Sequence, residues 1–280
     1  MQRTVSASAK VNFILDVLGK RPDGHHEVAM LMVRLSLHDR VTVELVPGEE
    51  VVATCPGLEL AAGEENIAAR AARLFLSHTG LRTGVTIRID KQIPAAAGMG
   101  GGSSNAAAVL LALNDLLATG LSRGELQSLG VRLGADVPFF LGGEMAAWAT
   151  GIGEHLEPWR GLPPCHLVLV NPGFAVSTAW VYQNLGLTDC RPATKIPRFP
   201  ERMADLAAIL RNDLERVTSA RHSEIAAIKG RLLASGALAA LMSGSGPTVF
   251  GLFAERSAAE RSAALLAEAT GWWTAAVTPS

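Results

Sequence analysis

The stretch PAAAGMGGGSSNAAAVLLALNDLL, from Pro94 to Leu117, places four glycines within five positions directly before an apolar run. The apolar run predicts a helix from about Ser104 to Leu117. The first N–H groups of a helix have no partner within it and carry a partial positive charge. Because glycines let the backbone approach an anion closely, the stretch predicts a phosphate-binding loop at a helix start.

Two common phosphate-binding motifs do not fit this loop. The Walker motif needs a lysine at the helix start, and this segment contains none. The GxGxxG motif fails because its third glycine, counted from Gly98, falls on Ser103. A tight strand-to-helix connection without a ligand is the alternative. It is disfavoured because each glycine costs about 0.5–1 kcal/mol relative to alanine in ordered structure.

Composition and charge narrow the class of protein. The chain has 280 residues, of which 49% are hydrophobic, with 25 basic and 26 acidic side chains. This balance argues against nucleic-acid binding, and no apolar run reaches the roughly 18 residues that a membrane span needs. Cys55, Cys165 and Cys190 form no CxxC pair and no evident disulfide pattern. We therefore expect a cytoplasmic enzyme with no membrane or nucleic-acid partner.

Residue periodicity predicts a mixture of helices and strands. Alternating residues predict strands at Val41–Val46 and Val85–Ile89, and between them Asn66 is the predicted cap of a helix. Ser122 and Glu125 have the spacing of a capping box at the start of another helix. Further elements are predicted in the second half of the chain: strands at His166–Val170, Thr248–Phe253 and Trp273–Val277, and helices at about Thr178–Leu185, Ala204–Leu214, Ser223–Ser235 and Ser257–Ala269.

A change in the sequence pattern, from the first half of the chain to a proline-containing segment and a new strand, predicts two domains. Pro163 and Pro164 precede a strand, and we set the boundary near residue 160. The first domain, residues 1–160, contains the glycine loop and would bind the nucleotide phosphates and carry the catalysis. In the second domain, residues 161–280, strands separated by helices on one side predict an antiparallel α+β layer that contributes to substrate binding.

At this point the sequence resembles the GHMP kinases. The residues Pro94, Gly98-Met99-Gly100-Gly101-Gly102 and Ser103-Ser104 are similar to the phosphate loop of that family. The stretches Ser6–Val28, Leu133–Gly143 and Ser243–Phe253 occur in the same order in members that act on a cytidylated methylerythritol. The resemblance implies an α+β, two-domain GHMP kinase fold. That fold has an N-terminal ribosomal-protein-S5-like domain, a C-terminal ferredoxin-like α/β layer and an active site in the cleft between them.

The resemblance also implies a nucleotide and a reaction. The glycine loop would bind ATP as co-substrate, with Mg²⁺ accompanying the nucleotide and no metal site built from protein residues alone. The γ-phosphate would move to a hydroxyl of the methylerythritol unit. The implied ATP-binding residues are Pro94, Ala95, Ala96, Ala97, Gly98, Met99, Gly100, Gly101, Gly102, Ser103 and Ser104.

Two catalytic residues follow from the resemblance. Asp136, in the stretch GADVPFF, matches the aspartate that takes the proton of the acceptor hydroxyl; a helix or turn cap is its alternative role. Lys10 matches the active-site lysine, whose ammonium would keep Asp136 ionised and lower the pKa of the hydroxyl. A solvated lysine at a strand edge is the alternative there. Asn12 points the same way as Lys10 in a strand and would bind substrate.

Residues for the cytidine end of the substrate are implied as well. His26 matches a histidine that reads the cytosine edge, and Tyr182, the only tyrosine of the chain, matches an aromatic that stacks on the base. Thr178 lies at the matching threonine, and Gly244 belongs to a third glycine-rich loop. His25 stands where the family usually has a tyrosine, and its smaller ring offers less area for stacking on cytosine.

Other functions stay open at the level of sequence. A homoserine or mevalonate kinase would keep the fold and change the acceptor, and a non-catalytic nucleotide or sugar sensor would keep the fold without the reaction. The stretches Lys10–Asn12 and Asp23–His26 favour a cytidylated acceptor, and the presence of Lys10 and Asp136 disfavours a sensor. The sequence does not decide between a monomer and a homodimer.

Overall fold

The computed structural model describes residues 1–58, 65–186 and 200–280. The predicted thiol Cys190 lies outside these ranges, whereas Cys55 and Cys165 are both free. None of the helices in the described ranges combines the length and the apolar character needed to cross a membrane.

The chain divides into two compact units, and the two longest strands run through both. The first unit comprises Met1–Ala9, Leu37–Ala95 and Gly100–Glu144, and the second comprises Lys10–Ser36, Ala96–Met99 and Met145–Ser280. The domain boundary near residue 160 stays a prediction.

The first unit packs helices against part of a sheet. Its elements are the beginning of β1 (Gln2–Lys20), the second half of β2 (His26–Val46), β3 (Val51–Thr54), α1 (Ile67–Thr79), β4 (Gly84–Asp90), α2 (Gly101–Leu116), α3 (Arg123–Val131) and α4 (Val137–Gly142). Residues 40–46 of β2 pair antiparallel with β4, and β4 pairs in parallel with β3. Phe75, Ile87 and Leu110 are fully buried between these elements.

Local signals in the sequence correctly predicted the starts of α1 and α3 in this unit. The Asn66 side chain accepts a hydrogen bond of 2.9 Å from the Ala68 N–H at the start of α1, and Gly80 ends that helix in the left-handed conformation. At the start of α3, the Ser122 hydroxyl accepts from the Glu125 N–H, and the Glu125 carboxylate accepts from the Ser122 N–H over 2.8 Å. Each of these interactions lies within a few residues of the chain, so the sequence pattern contains it in full.

The second unit contains an antiparallel layer, as predicted. Besides the rest of β1 and β2, its elements are β5 (Ala146–Thr150), β6 (His155–Pro158), β7 (His166–Asn171), α5 (Thr178–Gln183), α6 (Met203–Ile209), β8 (Arg211–Asn212), α7 (Glu215–Arg221), α8 (Glu224–Ala234), β9 (Ala239–Met242), β10 (Val249–Phe253), α9 (Arg256–Thr270) and β11 (Trp273–Val277). Strands β11, β7, β10 and β9 form one antiparallel sheet in that order. Helices α8 and α9 pack on it, which confirms the α+β class.

The remaining strands of this unit belong to the sheet that contains the long strands β1 and β2. Residues 30–33 of β2 pair with β5, β5 pairs with β6, and β1 pairs in parallel with β8. The predicted helix Ala204–Leu214 is wrong beyond Ile209, because the chain turns extended at Leu210. Arg211 then forms a two-pronged ion pair with the buried Asp16 of β1, with both N–O distances 2.7 Å. This long-range pairing overrides the local helix pattern.

Candidate active site

The glycine loop leads directly into α2, which begins at Gly101. The prediction of a start at Ser104 is wrong, because the left-handed Gly100, with φ of 68°, is the cap residue and Gly101 is the first residue of the helix. Gly101 and Gly102 therefore lie in the first turn, and the helix start has no side-chain capping hydrogen bond. No acidic residue lies in this turn, so the turn itself contributes no negative charge at the positive end of the helix.

The earlier part of the loop, residues 96–99, is anchored within the second unit. The Ser243 hydroxyl donates to the Gly98 carbonyl oxygen over 3.0 Å. Gly98 has a φ of 73°, and a Cβ there would collide with the carbonyl oxygen of Ser243 and lie 3.0 Å from the backbone nitrogen of Gly246. Both the backbone conformation and the close approach require glycine at this position.

Lys10 and Asn12 lie on the same face of β1, and both are buried. The Lys10 ammonium donates to Asn12 Oδ1 over 2.7 Å, which confirms that the two side chains point the same way. The Lys10 backbone N–H donates to the Met99 carbonyl over 3.0 Å. Because Lys10 is only 4% exposed, the alternative of a solvated surface lysine is wrong. β1 therefore holds a buried amine at the point where its backbone contacts the glycine loop.

The third glycine-rich loop is held by Asn212, which sequence analysis missed. Asn212 Nδ2 donates to the carbonyl oxygens of Met242 and Gly244, over 2.8 Å in each case. A Cβ on Gly244 would lie 3.0 Å from the Gly98 carbonyl oxygen, so this loop also contacts the phosphate loop. No sequence pattern indicated the role of Asn212, because it lies within a segment that was predicted to be helical and its partners are distant in the chain.

Thr178 joins the same set of residues. It is the first residue of α5, and its hydroxyl lies 2.8 Å from that of Ser245. The Ser245 carbonyl in turn accepts from the Thr218 hydroxyl over 3.0 Å. Within the second unit, the structure thus connects six of the predicted site residues through hydrogen bonds and close backbone contacts: Lys10, Asn12, Gly98, Met99, Thr178 and Gly244.

His26 and Tyr182 stack on each other, with ring centroids 4.7 Å apart and an interplanar angle of 29°. Burial lowers the pKa of the His26 imidazole, which favours the neutral ring that both donates and accepts hydrogen bonds. His25 differs, because its side chain is 63% exposed and its Nδ1 lies 3.5 Å from a carboxylate oxygen of Asp23. The two residues predicted to read and stack on cytosine are therefore in mutual contact.

Asp136 directly precedes α4 in the first unit, and its side chain makes no capping hydrogen bond. Asp136 thus occupies the cap position of α4 without a side-chain capping bond, and its catalytic role stays a prediction. A Cβ built on Gly134 would lie 3.7 Å from the Ser103 hydroxyl oxygen. The segment leading to Asp136 therefore packs against the first turn of α2, and the half-buried carboxylate follows two residues later.

The fold and the glycine loop define a class of small-molecule kinases. The family model "GHMP kinases N terminal domain" matches residues 66–144, which include the glycine loop and Asp136. The model "GHMP kinases C terminal" matches residues 193–268, which include the third loop. Together the two matches cover more than half of the chain.

Comparison with relatives and with a solved structure identifies the subfamily of kinases. A 4-diphosphocytidyl-2-C-methyl-D-erythritol kinase from Syntrophotalea carbinolica is 52% identical over 98% of this chain and 97% of its own length. A protein of the same name from Geobacter metallireducens is 52% identical with the same coverage. A crystal structure of 4-(cytidine 5'-diphospho)-2C-methyl-D-erythritol kinase covers 100% of both chains, with a TM-score of 0.81 and 38% identity. The chain belongs to the GHMP kinases and, within them, to the family of 4-diphosphocytidyl-2-C-methyl-D-erythritol kinases.

Proposed function

We propose that this chain transfers the γ-phosphate of ATP to the 2-hydroxyl of 4-diphosphocytidyl-2-C-methyl-D-erythritol, a step toward isoprenoid precursors. The observation that carries the proposal is the anchoring of the glycine loop, in which Gly98 is held by Ser243 and Met99 by the backbone of the buried Lys10. The names of relatives that share about half of their residues with this chain support the same acceptor.

The nucleotide end of the proposal rests on residues 94–104. The N–H groups of Gly101 and Gly102 bind phosphate oxygens, and the hydroxyls of Ser103 and Ser104 add donors at the start of α2. Mg²⁺ enters with ATP and, when bound, neutralises phosphate charge. Hydroxyl oxygens are ligands that Mg²⁺ accepts while keeping waters and phosphate oxygens. Over the three described ranges, no group of three or more His, Cys, Asp or Glu side chains forms a separate metal site.

The chemical step is assigned to Asp136 and Lys10. Asp136 accepts the proton of the 2-hydroxyl while the new O–P bond forms and the bond to the ADP oxygen breaks. The Lys10 ammonium stabilises the negative charge that develops on the acceptor oxygen. Lys10 is suited to this role because burial and its bond to Asn12 Oδ1 fix the ammonium in one position. Asn12 orients Lys10 and contributes to substrate binding.

The cytidine end is assigned to His25, His26 and Tyr182. Tyr182 stacks on cytosine, an interaction worth about 1–3 kcal/mol per base, and neutral His26 hydrogen-bonds to its edge. Because His26 and Tyr182 are in stacking contact, the histidine that reads the base edge and the ring that stacks on the base lie side by side. Thr178 and Gly244, linked through the third loop, complete the substrate contacts.

A panel of acceptors tests the proposal. The purified chain is given ATP, Mg²⁺ and one acceptor at a time: 4-diphosphocytidyl-2-C-methyl-D-erythritol, homoserine or mevalonate, with release of ADP as the readout. We expect turnover with the cytidylated acceptor only. Turnover confined to homoserine or mevalonate would contradict the substrate assignment, and the absence of turnover with all three would favour a nucleotide or sugar sensor.

Replacing Gly98 by alanine is expected to raise the KM for ATP about tenfold and to lower the melting temperature. Alanine at positive φ costs about 1–2 kcal/mol, and 1.4 kcal/mol corresponds to about a tenfold change in an equilibrium constant. The new methyl group also collides with the Ser243 carbonyl, which displaces the loop. Steady-state kinetics and thermal unfolding measure the two effects.

Gly120→Ala is the matched control for this prediction. Gly120 has a nearly equal φ of 68°, but a Cβ there would meet nothing within 4 Å. We expect a modest loss of stability and an unchanged KM for ATP. If the two variants bind ATP equally well, the close approach of Gly98 to Ser243 does not shape the nucleotide site.

We also propose that the enzyme works in the cytoplasm. The proposal is supported by the free thiols Cys55 and Cys165, because cysteines in reducing compartments are kept reduced. ATP, the proposed co-substrate, agrees with the same compartment.

A further inference from the structure

A fully buried carboxylate, which the proposed mechanism does not use, lies beneath the glycine loop. Asp39 of β2 is 0% exposed. Its Oδ1 accepts from the backbone N–H groups of Gln92, over 2.8 Å, and Ile93, over 2.9 Å. Its Oδ2 accepts from Asn105 Nδ2 over 2.9 Å and from the ammonium of Lys91. A buried charge is tolerated only where it is paired and hydrogen-bonded, and Asp39 meets both conditions.

The donors to Asp39 bracket the ATP-binding segment 94–104. Gln92 and Ile93 are the last residues before Pro94, and Asn105 is the first residue after Ser104. One oxygen of the carboxylate thus binds the residues directly before the loop, while the other binds the helix directly after it. A carboxylate is a rigid planar group, so it fixes the distance between the two ends of the loop.

Lys91 extends this cluster to the first turn of α2. Its side chain is 17% exposed, and a Cβ added to Gly101 would lie 3.2 Å from its ammonium nitrogen. The ammonium therefore lies against the backbone of the first helical residue while it is paired with Asp39. The glycine loop has no lysine of its own, but the ion pair of Lys91 with the buried Asp39 lies next to it, at the end of β4.

We propose that Asp39 is a positioning residue that sets the geometry of the glycine loop for the phosphates of ATP, through Gln92 and Ile93 on one side and Asn105 on the other. This role rests on the proposed function, since it presumes that residues 94–104 bind ATP. Misplacement of a reacting group by about 1 Å can cost about 10²-fold in rate, so a clamp on both ends of this loop has a direct effect on turnover.

The test compares two asparagines at opposite ends of the same helix. Asn105→Ala removes the α2 arm of the Asp39 clamp. Asn114→Ala is the matched control, because Asn114 bonds to the backbone N–H and carbonyl of Leu121, each over 3.0 Å, and to the Thr119 hydroxyl. Both changes lower stability, but only the first loosens the glycine loop.

The two variants are compared by calorimetric titration with a nonhydrolysable ATP analogue and Mg²⁺ and by steady-state kinetics. For Asn105→Ala we expect the Kd for the analogue and the KM for ATP to rise about tenfold, with the KM for the cytidylated acceptor within about twofold of wild type. For Asn114→Ala we expect all three values to stay near wild type. If Asn105→Ala does not fold, Asn105→Ser, which is also too short to reach Asp39, is measured in its place.

Suppose that the wild-type chain phosphorylates the acceptor and that the two variants bind the nucleotide analogue equally well. This result would overturn the positioning role and leave the kinase assignment intact. The same holds if Asn105→Ala raises the KM for the acceptor as much as that for ATP. A wild-type chain that neither binds the analogue nor phosphorylates the acceptor would overturn the kinase assignment and the positioning role together.

Discussion

Replacing Asp136 by asparagine is expected to lower kcat by about 10²–10⁴-fold, the usual contribution of a positioned general base. Asparagine keeps the size of the side chain but cannot take the proton of the acceptor hydroxyl. ATP binding is expected to stay near wild type, since the proposed phosphate contacts come from the backbone of the glycine loop and not from Asp136. Single-turnover kinetics and titration with an ATP analogue separate the two effects.

Asp115→Asn is the control, because it makes the same chemical change in the first unit at a position outside the proposed site. Asp115 lies on α2, is about half exposed and pairs with Arg3 over 3.0 Å at the surface. Such a pair contributes about 0–1 kcal/mol, so wild-type kcat is expected. Turnover by Asp136→Asn at the rate of Asp115→Asn would remove the aspartate from the chemical step.

Replacing Lys10 by methionine is expected to lower kcat by about 10²–10³-fold, the cost of removing one preorganised donor from a developing oxyanion. Methionine fills most of the space of the lysine stem and removes the charge. Lys10 contacts the Met99 carbonyl through its backbone N–H, which the substitution leaves in place. The KM for ATP should therefore change much less than kcat. Asn12 loses its 2.7 Å bond from the ammonium, so the KM for the acceptor is expected to rise modestly.

Lys20→Met, at the exposed end of the same strand β1, is the control for this variant. It removes the same charge at an exposed position of the strand, and kcat is expected to stay at the wild-type value. If Lys10→Met instead folds normally, keeps kcat and raises only the KM for ATP, Lys10 serves the nucleotide rather than the acceptor oxygen.

Sequence patterns predicted those features whose partners lie close together in the chain. Asn66 with Ala68, and Ser122 with Glu125, each complete their hydrogen bonds within one helical turn, and both were predicted correctly. The alternation of a strand was also enough to place Lys10 and Asn12 on one face. By contrast, the start of α2 was mispredicted, because glycine has low intrinsic helix propensity and the first turn consists of glycines whose role depends on the left-handed Gly100.

Residues whose partners are distant in the chain were missed. The extended segment at Arg211 depends on an ion pair with Asp16, 195 residues away in the chain, and no local pattern encodes it. Asn212 and Asp39 have the same property, since each is defined by the carbonyl or N–H groups it meets in the fold. The candidate site was therefore predicted through its reactive residues, whereas the residues that hold those groups in place became visible only in three dimensions.

A crystal structure of this chain with 4-diphosphocytidyl-2-C-methyl-D-erythritol and a nonhydrolysable ATP analogue tests the central claim most directly. We predict that the acceptor 2-hydroxyl lies within about 2.6–3.2 Å of an Asp136 carboxylate oxygen, the reach of a general base. The Lys10 ammonium should contact the same hydroxyl, with the terminal phosphate on the glycine loop and in line for transfer. Phosphates bound away from residues 94–104, or an acceptor hydroxyl out of reach of both side chains, would contradict the account.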